Sequence, residues 1–217
     1  KNNITSIIKR KYAVTCASGT DALRFALMAL DLGPGDEIMT TNFSWISTAS
    51  CISMVGATPV FCDVDLETNH ISVDSMKRMY SDKVKAIIYP HLFNNISDMQ
   101  YIQKFCEEKN IKLIEDSCQS FGANRNGQYA GTYGDVSTLS FNANKPVAGL
   151  AGGGAFLTDN KEEANLVRKL RRHGNNEVLG YNSKMLAINA EFINFRMDKM
   201  HEWQDKRFRV AKRYTNN

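Results

Sequence analysis

The run Val84-Lys85-Ala86-Ile87-Ile88-Tyr89, then residues 97–108, then Ile111-Lys112-Leu113-Ile114-Glu115, decides the fold. The first run is almost wholly apolar and rich in isoleucine and valine. A strand wetted on one face alternates; a strand covered on both faces does not. The middle segment has helical periodicity, with Asp98 early in it. The last run is again short and apolar, and it ends on Glu115-Asp116. Strand, crossover helix and second buried strand form a βαβ unit, which implies parallel strands.

The same alternation extends outward in both directions. Strands are expected at 12–16, 37–41, 58–62, 136–141 and 155–158. Helices are expected at 21–30, 44–55, 72–80 and 161–172, with Gly33-Pro34-Gly35 closing the first of them. The fold class is therefore α/β: a three-layer α/β/α arrangement with a mostly parallel central sheet. From Ser183 to Tyr214 the chain is amphipathic and rich in Arg, Lys and aromatics, and reads as a long C-terminal helix. The expected division is a large domain over 1–180, then an interface loop and long helix over 181–217.

Composition narrows the function classes. The 217 residues suffice for one sizeable core, and 43% hydrophobic with 23% charged residues is ordinary for a soluble globular protein. A net charge of +4, with both signs well mixed, offers no basic run for nucleic acid. No apolar stretch reaches membrane-spanning length, and no signal-peptide pattern opens the chain. Cys16, Cys51, Cys62, Cys106 and Cys118 lack C-x-x-C spacing. They read as buried thiols in a reducing cytoplasm, without a zinc site.

In open parallel sheets, ligands gather beyond the carboxyl ends of the strands. Ser18-Gly19-Thr20, Trp45, His91, Asp116 and Lys145 each follow an expected strand. The Ser-Gly-Thr run opens a helix, where free amides and a hydroxyl suit a phosphate; it serves equally as a plain helix cap. Asp116 ends a buried strand and needs a cationic or donor partner; it could also cap the next turn. Gln119 lies three residues on. Trp45 at a helix start could stack on a flat ring or fill the core. His91 reads as a ligand-binding or a structural histidine. Lys145 sits among Leu139, Ser140, Phe141, Asn142 and Asn144, followed by Gly152-Gly153-Gly154. A lysine amine forms a Schiff base with an aldehyde, and a carboxylate holds a pyridine nitrogen protonated. That pair is what pyridoxal 5′-phosphate (PLP) asks of a protein.

These residues lie in an order that resembles the DegT/DnrJ/EryC1/StrS family of sugar aminotransferases, PLP enzymes of fold type I. The matching stretches are Ser-Gly-Thr-Asp-Ala-Leu at 18–23, Pro-Gly-Asp-Glu at 34–37, Trp-Ile-Ser-Thr-Ala at 45–49 and Gly-Ala-Thr-Pro-Val-Phe at 56–61. Glu-Asp-Ser-Cys-Gln at 115–119, Gly-Asp at 134–135, Ser-Phe-Asn-Ala-Asn-Lys at 140–145, Arg-His-Gly at 172–174 and Gly-Tyr-Asn-Ser at 180–183 continue the set.

The resemblance implies that Lys145 carries the cofactor and shuttles the proton between the substrate α-carbon and the cofactor's C4′. It pairs Asp116 with the ring nitrogen and Gln119 with the ring oxygen, and stacks Trp45 on the ring. Gly19, Thr20 and Ser140 would hold the phosphate, and Asn182 the phosphate of a neighbouring subunit, so that a homodimer shares its sites. The implied reaction moves an amino group from an amino acid, commonly L-glutamate, to a keto group of a nucleotide-linked deoxysugar. Nucleotide-sugar metabolism and polysaccharide biosynthesis are the settings it suggests.

The same resemblance leads one to expect an N-terminal segment before residue 1 and a small C-terminal domain after Tyr214. Departures from the family pattern are Asn94 for a glycine, Lys184 for an arginine, Met185-Leu186-Ala187 where an acidic residue is usual, and Glu191 for an alanine. Two other readings stand beside it. One is a non-catalytic PLP-binding or partial protein. The other is the family's sugar-dehydratase branch, which has histidine in place of the lysine and from which Lys145 departs.

Overall fold

The buried apolar runs become the strands of one sheet. The computed structural model describes residues 2–216. Its elements, in order, are α1 (Asn2–Ile8), β1 (Tyr12–Cys16), α2 (Gly19–Ala29), β2 (Glu37–Thr41), α3 (Ser47–Met54), β3 (Thr58–Cys62), α4 (Val73–Met79), β4 (Val84–Pro90) and α5 (Met99–Lys109). They continue with β5 (Lys112–Asp116), β6 (Asn124–Arg125), β7 (Gln128–Tyr129), β8 (Val136–Ser140), β9 (Gly154–Thr158), α6 (Lys161–Leu170), α7 (Ala187–Asp198) and α8 (Met200–Thr215).

Seven strands form the sheet in the order β1-β9-β8-β5-β4-β2-β3. From β3 to β8 every neighbouring pair is parallel; β9 runs antiparallel between β8 and β1. The crossover connections leave the ends of β1, β2, β4, β5 and β8 along one edge. Because β9 is reversed, the glycines that precede it arrive at that same edge.

Alternate residues of the strands face opposite layers. Ile88, Ile114, Val14 and Phe156 pack with Leu23 and Leu27 of α2, Ile52 of α3 and Val167 of α6. On the other face, Ile87 and Leu113 meet Met76 of α4 and Ile102 and Phe105 of α5. Farther along that face, Ala13, Leu139 and Leu157 meet Ile4 and Ile8 of α1, Ile193 and Met197 of α7 and Met200 of α8. This is the expected three-layer α/β/α arrangement.

Three local features differ from the sequence pattern. Helix α3 begins at Ser47 rather than at residue 44, because the Ser44 hydroxyl is engaged with Thr48 Oγ1 at 2.9 Å. Trp45 and Ile46 therefore stay in the loop. The C-terminal stretch is two helices, α7 and α8, that meet at Lys199. It also starts late: Ser183, 1% exposed, donates to Asp21 at 2.6 Å and accepts from the amide of Ala17 at 3.1 Å, which holds residues 183–186 out of helix. The β6–β7 hairpin carries no alternating pattern long enough to read; Asn126 and Gly127 turn it with positive φ. No helix among the described residues is long and apolar enough to cross a membrane.

Candidate active site

At the edge where the parallel strands end lies a cavity of about 330 Å³. Gly19, Thr20, Trp45, Asp116, Gln119, Ser140 and Lys145 all line it, so seven of the eight residues that the resemblance assigns to the cofactor converge. Asn182 does not: it is exposed, bridged to Arg172, on a loop fastened through Ser183 to the start of α2.

The floor is the start of α2. Ser18 is its N-cap, accepting from the amide of Asp21 at 3.0 Å. A Cβ on Gly19 would stand 2.8 Å from Ser140 Cβ and 3.2 Å from Cys118 Sγ, so only glycine lets α2, β8 and the turn after β5 come this close. Thr20 Oγ1 lies 2.8 Å from Ser47 Oγ, tying α2 to α3. A helix start flanked by the Thr20, Ser47 and Ser140 hydroxyls is a site for an anionic oxygen cluster.

Asp116, 6% exposed, accepts from Thr48 Oγ1 at 2.8 Å and from the amide of Cys118 at 3.2 Å. Among the described residues no lysine, arginine or histidine forms an ion pair with it. A carboxylate buried without a cation is costly. A ring N–H⁺ in the cavity would relieve it. The neighbouring Cys118 thiol is pushed well above its ordinary pKa, first by burial and then by the Asp116 charge.

Lys145 follows β8 on a turn closed by its amide on the Asn142 carbonyl at 3.0 Å. It is half-buried at the rim, not enclosed, and its amine forms no ion pair among the described residues. Trp45 is 63% exposed, which removes it from the core, and it lines the cavity. Gly152 and Gly153 line the cavity with φ of 74° and 121°. Asn189 Nδ2 holds the Gly152 carbonyl at 2.7 Å, and the Gly153 carbonyl accepts from the amide of Phe141 at 2.8 Å.

His91 also lines the cavity and is fully buried. Its Nε2 is 2.9 Å from Glu115 Oε2, and its Nδ1 has no hydrogen-bond partner among the described residues. Burial alone would raise the Glu115 pKa. The His91 hydrogen bond and charge and the amides of Gly134 and Gly131 outweigh it and hold Glu115 below the usual carboxylate range. Since an ionised carboxylate only accepts, Nε2 is the donor in this bond.

The sequence reading assigned no role to Ser47, Thr48 or Glu115. Thr48 falls three residues after Trp45, one helical turn, which is a weak signal that both face the same site. Ser47 and Glu115 carry no local signal, because their partners Thr20 and His91 are distant in the chain.

The DegT/DnrJ/EryC1/StrS aminotransferase family model matches residues 2–217. The chain is 36% identical to a UDP-N-acetyl-3-dehydro-α-D-glucosamine 3-aminotransferase of Acidithiobacillus ferrooxidans, over 95% of this chain and 57% of that protein. It is 34% identical to a pleiotropic regulatory protein of Geobacillus stearothermophilus, over 98% of this chain and 59% of that protein. NtdA from Bacillus subtilis, solved with bound cofactor PMP, superposes with a TM-score of 0.81 at 31% identity, covering 91% of this chain and 48% of that one. The chain spans about three-fifths of the length of these curated relatives. Its cavity, its sheet order and these matches agree: the chain belongs to the DegT/DnrJ/EryC1/StrS aminotransferase family.

Proposed function

We propose that this chain holds PLP and carries the chemical centre of an aminotransferase that moves an amino group from an amino acid, L-glutamate, to a keto group of a nucleotide-linked deoxysugar. The observation that carries the reading is the opening of Lys145 and the unpaired, buried Asp116 onto one cavity. The UDP-sugar aminotransferase relative and the PMP-bound neighbour support the substrate class and the cofactor.

When bound, PLP supplies an aldehyde that condenses with amines and a ring that stores electrons during proton transfer. The chain's own residues do the rest. Gly19, Thr20 and Ser140 grip the phosphate at the α2 start. Asp116, itself steadied by Thr48, keeps the ring nitrogen protonated. Gln119 would meet the ring oxygen, and Trp45, at the rim, would shield the ring from water. Lys145 would hold the aldehyde, and its amine would be the group that moves a proton at the substrate α-carbon. Asn182, exposed and outside the cavity, serves the phosphate of a second copy, which makes the working unit a homodimer. Residues 1–180 form the cofactor domain and 181–217 the interface loop and helices. A cytoplasmic setting in polysaccharide biosynthesis suits this chemistry. Lys145 sets the chain apart from the histidine-bearing dehydratase branch.

The test is the absorbance spectrum of purified protein with PLP, before and after L-glutamate. A protein-bound band that shifts on adding glutamate is expected. No band at all would remove the reading.

A further inference from the structure

Beside the candidate active site lies a second, more open depression of about 390 Å³. Trp45, Phe93 and Asn94 line it together with Lys145 and with Gln204 and Arg207 of α8. Trp45, Gln119, Asn144 and Lys145 line both cavities, so the two form one continuous space with an inner and an outer part.

The charges divide unevenly between them. The inner part is lined by both Asp116 and Lys145; among the described residues lining the outer part there are two cations, Lys145 and Arg207, and no carboxylate. The Arg207 guanidinium forms no ion pair among the described residues. Its one described hydrogen bond is a long one, 3.5 Å, from Nη2 to the carbonyl of Pro146, next to Lys145. The helix beneath it is fixed: Gln204 Nε2 donates to the Phe121 carbonyl at 3.2 Å, and Met200 is fully buried. Phe93 and Asn94, in the same lining, hold positive φ of 56° and 59°, and Phe93 stands 68% exposed, its ring 6.4 Å from that of Phe43. The outer part thus combines exposed aromatic surface with a positioned, unspent guanidinium.

We propose that this outer depression is the anion subsite of the substrate, with Arg207 binding carboxylate or phosphate oxygens while the reacting carbon sits at Lys145. The proposal rests on the reading of Lys145 given above. Once the cofactor engages Lys145, Arg207 is the cation left in the depression. Its planar fork matches two oxygens of a carboxylate or a phosphate, which a lysine does not. The anion has two sources, the carboxylate of the amino donor and the diphosphate of the sugar nucleotide.

The experiment titrates the protein with glutarate and, separately, with UDP, following tryptophan fluorescence, in wild type, Arg207→Ala and Arg207→Lys. Melting temperatures establish that the variants fold, as an exposed helix position permits. Expected is saturable binding of at least one anion by wild type, weakened about tenfold or more in Arg207→Ala and partly restored in Arg207→Lys. Weakening for glutarate identifies the donor carboxylate as the source, and for UDP the diphosphate. Equal affinity of wild type and Arg207→Ala for both anions, or no binding by wild type, overturns the proposal. The titration needs no cofactor. A failure to bind PLP would therefore strike the aminotransferase reading, and leave the anion result to be judged by itself.

Discussion

Asp116 and Gly19 show how single residues define this site. Asp116 is nine-tenths removed from water, yet its described donors are one hydroxyl and one amide. Its charge is left for a ligand. Asp116→Ala should still take up PLP through Lys145, but lower kcat on the order of a hundredfold, the usual cost of losing one preorganised electrostatic partner. Steady-state kinetics decide it, and wild-type turnover would remove Asp116 from the role. Gly19 acts by having no side chain. In Gly19→Ala the new methyl would press on Ser140 at 2.8 Å, so α2 must back away from β8. The expected loss is about 1–3 kcal/mol in denaturant unfolding together with weaker PLP binding. Asn94 belongs to the same scale. The family's usual glycine there is intelligible from its φ of 59°, a conformation that asparagine tolerates better than most residues.

Among the elements, β5 and the loop that follows β7 are joined by one carboxylate. Glu115 accepts from the amides of Gly131, Tyr133 and Gly134 at 2.6–2.8 Å, and Arg10 holds the Gly131 and Gly134 carbonyls from the other side. Folding lowers the Glu115 pKa, so its ionised form stabilises the fold above the ordinary carboxylate pKa. That contribution is lost as pH falls through the lower, folded value. Glu115→Ala should cost at least about 3 kcal/mol at neutral pH, because several buried donors lose their acceptor. The gap to wild type should narrow on acidification. A gap that stays constant down to acid pH would contradict the assignment. This network also marks where the sequence became opaque. Strands β2 to β5 and β8 were legible because each is a short apolar run bounded by breakers. The partners of Glu115 were not, since they depend on how residues 131–134 fold back over β5. The break at Lys199 was hidden for a similar reason: the amphipathic pattern continues through it, while Ile193, Met197 and Met200 are drawn to one cluster.

At the scale of the whole molecule, the three layers bury all five cysteines. Burial pushes the thiols of Cys16, Cys62 and Cys106 up to about 12 and those of Cys51 and Cys118 upward as well. Native protein should therefore react with iodoacetamide slowly at every site, and all five should label after denaturation. Rapid native labelling of any one would contradict the packing. The candidate site was legible at this scale because a parallel sheet gathers its strand ends, bringing Lys145 and Asp116 together from separate segments. What the sequence did not reveal was exposure: Trp45 and Lys145 proved to be rim residues, a property of loops rather than of periodicity. The aminotransferase reading stands on a covalent bond between Lys145 and the cofactor. Borohydride reduction of the PLP-loaded protein, followed by peptide mass mapping, tests it most directly. A phosphopyridoxyl group is expected on the peptide containing Lys145, absent in Lys145→Ala. A label on another lysine, or none on a protein that retains PLP, would contradict it.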